Sequence, residues 1–124
     1  MNEEKKIFVE DEPDNASIFA MSLKDGGFEV DTFIDPLLAL CTFKEGKRYN
    51  LLILDIKMPD MNGFELYEQI VKIDSKVKVC FLTAFGEGYT EEFKLRFPSS
   101  SLGVSFIRKP IRVDDLVKKV NEMI

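Results

Sequence analysis

The sequence contains no histidine and no tryptophan, and it has only two cysteines in 124 residues. Without histidine, these residues cannot form a Ser-His-Asp or Cys-His nucleophilic pair, a zinc site with a histidine ligand, or a phosphohistidine. Cys41 lies in a helical pattern and Cys80 in an apolar strand, without metal-ligand spacing, so both are expected to behave as small apolar side chains. Any chemistry must therefore come from carboxylates, lysine and hydroxyls.

Long apolar runs and excess positive charge are missing as well. No segment approaches the roughly 20 apolar residues that a membrane-spanning helix requires, and the polar start, MNEEKK, does not match a secretion signal. The net charge of -5 disfavours direct nucleic-acid binding, which depends on Lys and Arg neutralising phosphates. We therefore expect a cytoplasmic protein that binds neither membranes nor nucleic acid. The length predicts a single domain over residues 1–124 without an output domain.

The segment LLILDIKMPDMNG, residues 51–63, organises the rest of the chain. Its four aliphatic residues, 51–54, are too few for a helix and too apolar for a strand with one wet face, so they predict a central strand covered on both sides. Asp55 follows directly. Pro59 and the Asn62-Gly63 pair then predict a surface turn. Asp55 is thus expected at the rim of the sheet, in the crevice where open α/β sheets carry their chemistry.

Apolar runs and helical patterns alternate along the whole chain. We predict strands at 5–9, 28–33, 51–54, 77–82 and 104–107, and helices at 14–25, 36–45, 64–71, 90–97 and 113–124. Asp35 is expected to cap the second helix, with Pro36 at its first position. Alternation of this kind predicts a parallel sheet with right-handed crossovers. The carboxyl ends of all five strands then lie along one edge.

That edge would collect five polar groups from four strand ends: Glu10, Asp11, Asp55, Thr83 and Lys109. Three carboxylates in one place repel one another unless a cation lies among them. Mg²⁺ suits such a place because it binds one or two carboxylates and keeps waters and a phosphate oxygen. Lysine adds a further positive charge and threonine a hydroxyl donor. Each group alone has an ordinary structural explanation, but together they predict transfer of a phosphoryl group onto Asp55.

Four motifs that span the chain carry a resemblance to a known family: IFVEDEPDN, LLILDIKMPDMNGFEL, FLTA and FIRKPI. Together they resemble the response-regulator receiver domain of two-component phosphorelays, in its stand-alone, chemotaxis-type form. The resemblance implies a flavodoxin-like fold, which is a doubly wound α/β sheet of five βα units with strand order 2-1-3-4-5. It also implies a sensor histidine kinase as the partner that donates the phosphoryl group. The chain would not be an enzyme beyond catalysing its own aspartyl phosphorylation and dephosphorylation.

The resemblance further implies how Mg²⁺ is bound. Asp55 would be the phosphoacceptor, and Asp11 and Asp55 would bind the ion directly. Glu10 stands where aspartate is more usual, so its longer side chain would reach the ion directly or through water. The backbone carbonyl of Lys57 would complete the ligands that the protein supplies.

The remaining site residues would couple the phosphoryl group to a binding surface. Lys109 would bridge to the phosphoryl group and Thr83 would move toward it. Phe106 would turn inward into the space that Thr83 vacates, and without a tyrosine hydroxyl it would act by ring packing alone. The face formed by the helix at 90–97, the fifth strand and the last helix would then bind a downstream protein or a second copy of the chain.

Three other functions are compatible with an α/β sheet of this kind. A phosphorylation-independent interaction module would have no physical reason to keep a like-charged cluster. A haloacid-dehalogenase-like phosphatase would need a second aspartate two residues after the nucleophile, where this chain has Lys57. A flavodoxin-type flavin carrier would place a flavin phosphate against the carboxylates that end the first strand. All three are therefore disfavoured relative to the receiver.

Overall fold

A computed structural model describes residues 6–10, 13–56, 61–83, 95, 104–108 and 112–124, with the backbone alone described at 6–10, 13–16, 83 and 108. The strands are β1 (Lys6–Glu10), β2 (Glu29–Phe33), β3 (Leu51–Asp55), β4 (Lys78–Thr83) and β5 (Val104–Arg108). The helices within these residues are α1 (Pro13–Asp25), α2 (Pro36–Lys44), α3 (Gly63–Val71) and α4 (Val113–Met123). The predicted helix at 90–97 lies outside the described residues except for Leu95, which is helical and exposed.

The five strands form one parallel sheet in the order β2-β1-β3-β4-β5. This confirms the order implied by the resemblance. β3 lies in the middle, paired with β1 on one side and β4 on the other, and its first four residues are 0% exposed. The short aliphatic run therefore forms the doubly covered central strand that the sequence predicts.

Alternate residues of β3 contribute to two apolar cores, one on each face of the sheet. Leu52 and Leu54 pack with residues of α2 and α3, whereas Leu51 and Ile53 pack with residues of α1 and α4. Burial of one large aliphatic side chain contributes about 1.5–3 kcal/mol to folding. The two cores together hold the helices against the sheet and fix the position of the strand ends.

The two cysteines lie in different environments. Cys80 is fully buried within the core beneath α1 and α4, and this burial raises the pKa of its thiol to about 12. Cys41, which the sequence predicts to behave as a small apolar side chain, is exposed and does not belong to either core. The buried face of α2 is formed by Pro36, Ala39, Leu40 and Phe43. That spacing turns Cys41 outward, on the same side as the exposed Leu37 and Leu38.

Four strands end one residue later than the apolar pattern predicts. The polar or charged residue after each apolar run is still paired in the sheet; these last residues are Glu10, Asp55, Thr83 and Arg108. Backbone hydrogen bonds define a strand, and they continue after the side chains become polar at the rim. The predicted site residues at these ends are therefore held by the sheet itself rather than by loops.

The starts of α2 and α3 each have a side-chain cap. Asp35 caps α2, its carboxylate accepting a hydrogen bond from the backbone N–H of Leu37 at 2.9 Å, as predicted. Asn62 and Gly63, which the sequence places in a surface turn, are the N-cap and the first residue of α3, and residues 57–60 of that predicted turn lie outside the described residues. Its side chain accepts from the Glu65 N–H at 2.9 Å, and the Glu65 carboxylate accepts from the Asn62 N–H at 3.2 Å. The Asn-x-x-Glu spacing is the sequence signal for this reciprocal cap.

A polar cluster ties the connection between α2 and β3 to the edge strand β2. The Asp31 carboxylate accepts a hydrogen bond from the Tyr49 hydroxyl at 2.7 Å and pairs with the Lys47 ammonium at 2.9 Å. Burial, aided by the hydrogen bond to Asp31, raises the pKa of Tyr49. Charged side chains on an edge strand also discourage the pairing of a further strand.

Among the residues described, no helix is long and apolar enough to cross a membrane.

The start of α4 has no side-chain cap, in contrast to the starts of α2 and α3. Arg112 occupies the N-cap position without a side-chain hydrogen bond to the first turn. Asp114 and Asp115 lie in that turn, where their negative charges complement the helix dipole. The backbone N–H groups of the first turn therefore lack the hydroxyl or carboxylate acceptor that a serine or aspartate cap supplies.

Arg112→Ser is expected to raise the free energy of unfolding by about 1 kcal/mol, because serine supplies the missing acceptor. Urea unfolding followed by circular dichroism measures this change. Lys118→Ser, at an exposed position in the interior of α4, serves as the control and should be neutral or slightly destabilising. A variant Arg112→Ser no more stable than the parent would contradict the account of this helix start.

Candidate functional site

The carboxyl ends of the strands form a continuous row along one edge of the sheet. Glu10 is paired with Leu54, the residue before Asp55, and Asp55 is paired with Leu82, the residue before Thr83. Neighbouring strands lie about 4.8 Å apart. The backbones of Glu10, Asp55 and Thr83 are therefore brought together from three adjacent strands, as the sequence predicts for this edge.

Several predicted site residues lie outside the described part of the chain. Asp11, Lys57 and Lys109 belong to the undescribed residues, and for Glu10 and Thr83 only the backbone is described. Their assignment to metal, phosphoryl or switch roles therefore stays a prediction. Within the described residues, no group of three acidic or cysteine side chains is arranged to hold a metal ion.

Asp55 is held firmly at the rim of the sheet. Its neighbours Leu54 and Ile56 are 0% and 2% exposed, whereas Asp55 itself is only partly buried. Beyond Asp55 the chain stays bound to β4, because the Ile56 N–H donates to the Leu82 carbonyl at 3.1 Å. The backbone of Asp55 is thus anchored by buried residues on both sides, while its side chain keeps access to solvent. This is the placement that the sequence predicts for Asp55.

Gly63, the first residue of α3, contacts the backbone that carries Asp55. Its N–H donates to the Ile56 carbonyl at 2.8 Å. A Cβ atom at position 63 would lie 2.6 Å from the carbonyl oxygen of Asp55 and 3.0 Å from the Cα of Ile56. Only glycine allows this approach without a backbone shift. The sequence places Gly63 in a turn and gives no sign of its contact with the backbone of Asp55 and Ile56.

The chemistry of this edge fits a hard divalent cation. Carboxylate residues end β1 and β3, which are adjacent strands, and carboxylate oxygens are the ligands that Mg²⁺ prefers. Because Asp55 is only partly buried, waters can reach its carboxylate, and Mg²⁺ usually keeps several waters when it binds a protein. The positions that the structure describes are therefore compatible with the predicted ion.

Phe106 lies on β5 and its ring packs against the core beneath α3. The ring is partly buried and stacks on Phe81, with centroids 5.4 Å apart and planes at 30°. It also meets Phe64 in an edge-to-face contact at 6.4 Å and 78°. The predicted aromatic switch residue thus has its ring among other aromatic rings. The sequence places Phe106 on a strand but gives no sign of which rings it contacts.

Comparisons with known proteins agree on one family. The family model described as the response regulator receiver domain matches residues 7–121. The chain is 32% identical over 118 residues to the regulatory protein VanRc of Enterococcus gallinarum, covering 94% of this chain and 48% of that protein. It is 32% identical over 128 residues to hybrid signal transduction histidine kinase B of Dictyostelium discoideum, covering 92% of this chain and 6% of that protein. The chain thus spans less than half the length of these two relatives.

A solved structure shows the same fold. The response regulator protein TrrA of Thermotoga maritima, in complex with Mg²⁺ and BeF, is 30% identical and superposes with a TM-score of 0.75. The match covers 98% of this chain and 100% of that one. The likeness therefore extends over the complete βα architecture rather than over a single motif.

Gly63→Ala is expected to destabilise the protein by about 1–3 kcal/mol, because the added methyl group overlaps the backbone of Asp55 and Ile56. The same shift should move the Asp55 backbone, which is measured as changes in the amide chemical shifts of Asp55 and Ile56. Urea unfolding gives the stability change.

Gly26→Ala is the matched control. A Cβ at position 26 would meet its nearest atom, the Leu23 carbonyl oxygen, at 3.4 Å, which is an ordinary contact. This variant should be neutral or slightly more stable, because alanine reduces the freedom of the unfolded chain. Equal effects of the two substitutions would show that Gly63 has no special contact with the backbone of Asp55 and Ile56.

Proposed function

This chain belongs to the response regulator receiver domain family, and from that membership we propose that it accepts a phosphoryl group on Asp55 from a sensor histidine kinase. One observation supports Asp55 most strongly. It is the partly buried carboxylate residue that ends the central strand, anchored between Leu54 and Ile56 and contacted on its backbone side by Gly63. A nucleophile whose backbone is fixed in this way has only its side-chain torsions left to order on reaching the transition state.

The proposed reaction moves one phosphoryl group between two side chains. A carboxylate oxygen of Asp55 attacks the phosphorus of a phosphohistidine, forming a P–O bond while the P–N bond breaks. The electron pair of the P–N bond stays on the imidazole nitrogen. Because the 124 residues contain no histidine, the donor imidazole lies outside this sequence. The product is an aspartyl phosphate.

Charge stabilisation at the site would come from Mg²⁺ and a lysine. We assign the ion to Asp11 and Asp55, with Glu10 bound directly or through water and the backbone carbonyl of Lys57 as a further ligand. When bound, Mg²⁺ would neutralise negative charge on the phosphoryl oxygens. The ammonium of Lys109 would bind another of these oxygens as a point charge.

The response to phosphorylation would pass through Thr83 and Phe106 to the surface formed by residues 90–97, β5 and α4. A phosphoryl group favours one packing over another only if its contacts differ between the two. That surface would bind a downstream protein or a second copy of the chain. We further propose that the protein acts in the cytoplasm, with no enzymatic activity beyond its own phosphorylation and dephosphorylation.

Incubation with acetyl phosphate and Mg²⁺ is expected to add one acid-labile phosphoryl group, and Asp55→Asn should abolish it because the amide is not a nucleophile. Intact-protein mass spectrometry measures the addition. Asp25→Asn is the control, since Asp25 is exposed and ends α1 at the opposite edge of the sheet. This variant should be labelled like the parent.

Equal labelling of the parent and Asp55→Asn would overturn the assignment of the acceptor. A parent that takes up no phosphoryl group from acetyl phosphate in the presence of Mg²⁺ would instead favour the phosphorylation-independent interaction module. Omitting Mg²⁺ or adding a chelator should reduce labelling of the parent severely. Labelling unaffected by a chelator would contradict the proposed role of the ion.

A further inference from the structure

The outward face of α2 is apolar, although the same helix already buries another apolar face in the core. On the outside, Ile34, Leu37 and Leu38 are 59%, 49% and 59% exposed, and neither described core includes them. Together with the exposed Cys41 they follow the i, i+3, i+4, i+7 spacing of a helix face that packs against another element. A helix that is apolar on both faces is expected to be covered on both.

The outward face of α2 can lose its water at little cost. Between Asp35 at the N-cap and Lys44 in the last turn, the helix has no charged residue. The one hydroxyl in this interval belongs to Thr42, and it donates to the Leu38 carbonyl at 3.0 Å within the helix itself. Removing water from polar groups that already have a hydrogen-bond partner costs far less than burying unpaired ones. The face is therefore suited to apolar contact with a second helix.

The outward face is also symmetrical about the middle of α2. Turning the helix end over end about this point exchanges Leu38 with Cys41 and Leu37 with Thr42, all of which are exposed or partly exposed. In a pair of identical chains related by a two-fold axis, both copies use the same surface. Two antiparallel copies of α2 would therefore place these side chains opposite one another.

Charges at the two ends of the face favour the antiparallel arrangement. Asp35 and Lys44 are nine residues apart, which is about 13.5 Å along a helix axis. In an antiparallel pair each Asp35 would lie opposite Lys44 of the second copy, whereas a parallel pair would place like charges together. Glu45, which follows Lys44, would lie opposite Ile34 at the end of the contact, where its carboxylate stays in water. The face is thus complementary to itself in one orientation.

From these features we propose that two copies of this chain associate through the outward faces of α2, in an antiparallel pair. α2 contacts α3 and β2, and β2 lies at the opposite edge of the sheet from β5. The contact is therefore separate from the surface formed by residues 90–97, β5 and α4. A stable interface buries about 800 Å² per partner, and one face of a nine-residue helix provides less. The pair should accordingly be weak, with a dissociation constant on the order of 100 µM.

Sedimentation equilibrium of the full chain, without a phosphodonor and from about 10 µM to about 1 mM, tests this association. Leu38→Glu is expected to weaken it about tenfold, because the new carboxylate would be buried against an apolar face. Leu38→Ala, which removes apolar area without adding charge, should weaken it by a smaller factor. Circular dichroism checks that the variants fold, as expected for substitutions at an exposed position.

Met21→Glu is the matched control for the added charge. Met21 is 67% exposed and lies on α1, which packs on the other face of the sheet. This variant should associate like the parent. Lys44→Glu should weaken the association roughly two- to fivefold at low salt, because it places two carboxylates together across the contact. Lys24→Glu, at an exposed position in the last turn of α1, makes the same change of charge and should have no effect.

Cys41 reports the geometry of the pair. Cys80 is 0% exposed, so a thiol reagent should reach Cys41 alone of the two cysteines. In the antiparallel pair the two Cys41 Cα atoms lie within roughly 10 Å of each other. A short bismaleimide should therefore link the two chains, and Leu38→Glu should reduce this product about tenfold.

Two results would overturn the proposal. A chain that remains monomeric up to about 1 mM would leave the outward face of α2 to a helix of a different protein. Association and cross-linking that Leu38→Glu and Met21→Glu affect equally would mean that another surface joins the copies. Because no phosphodonor is present, failure of Asp55 labelling would overturn the proposed function without changing either measurement.

Discussion

The parallel hydrogen-bonded pairing of β3 with β1 and β4 is the constraint on which the rest of the structure depends. It is imposed by the aliphatic residues 51–54, which are buried on both faces and so require helices above and below the sheet. Once β3 is central and parallel, its last residue must lie at the edge where the neighbouring strands also end. Asp55 lies at the rim because it is the last residue of β3, whose first four residues are buried in the interior of the protein.

The surroundings of Asp55 follow from the same strand. The chain leaves β3 through Ile56, which is still bound to β4, and returns so closely that α3 has to begin with Gly63. The next residue, Phe64, then enters the core and meets Phe81. One short connection thus joins the backbone of Asp55 to the aromatic rings that pack between α3 and the sheet. The same short connection contributes to core packing and to the position of Asp55. A substitution there that alters the packing is therefore expected to alter the position of Asp55 as well.

The sequence predicts the features that depend on neighbours in the chain. The aliphatic run of β3 and the capping of α2 by Asp35 are local patterns, and the structure confirms them. Four of the five strands extend one residue beyond the predicted end, because side-chain polarity changes before backbone pairing stops. The outward position of Cys41 was missed because two apolar rows on α2 compete, and only the tertiary structure decides which is buried.

Features that depend on residues far apart in the chain could not be predicted from local patterns. The ring contacts join positions 64, 81 and 106 from three separate elements, and no spacing within one element encodes them. The need for glycine at position 63 arises from the backbone of Asp55, eight positions earlier in a different element. By contrast, the convergence of Glu10, Asp55 and Thr83 was predictable, because parallel topology alone brings strand ends together.

Paramagnetic broadening by Mn²⁺ is the most direct test that this edge of the sheet gathers ligands for a divalent ion around Asp55. Mn²⁺ accepts the same carboxylate, carbonyl and water ligands as Mg²⁺. At substoichiometric Mn²⁺, the amide signals of Glu10, Asp55 and Ile56 should disappear first, and excess Mg²⁺ should restore them. Broadening centred instead on Asp25 and Asp74, exposed or partly exposed carboxylates remote from these strand ends, would contradict the account.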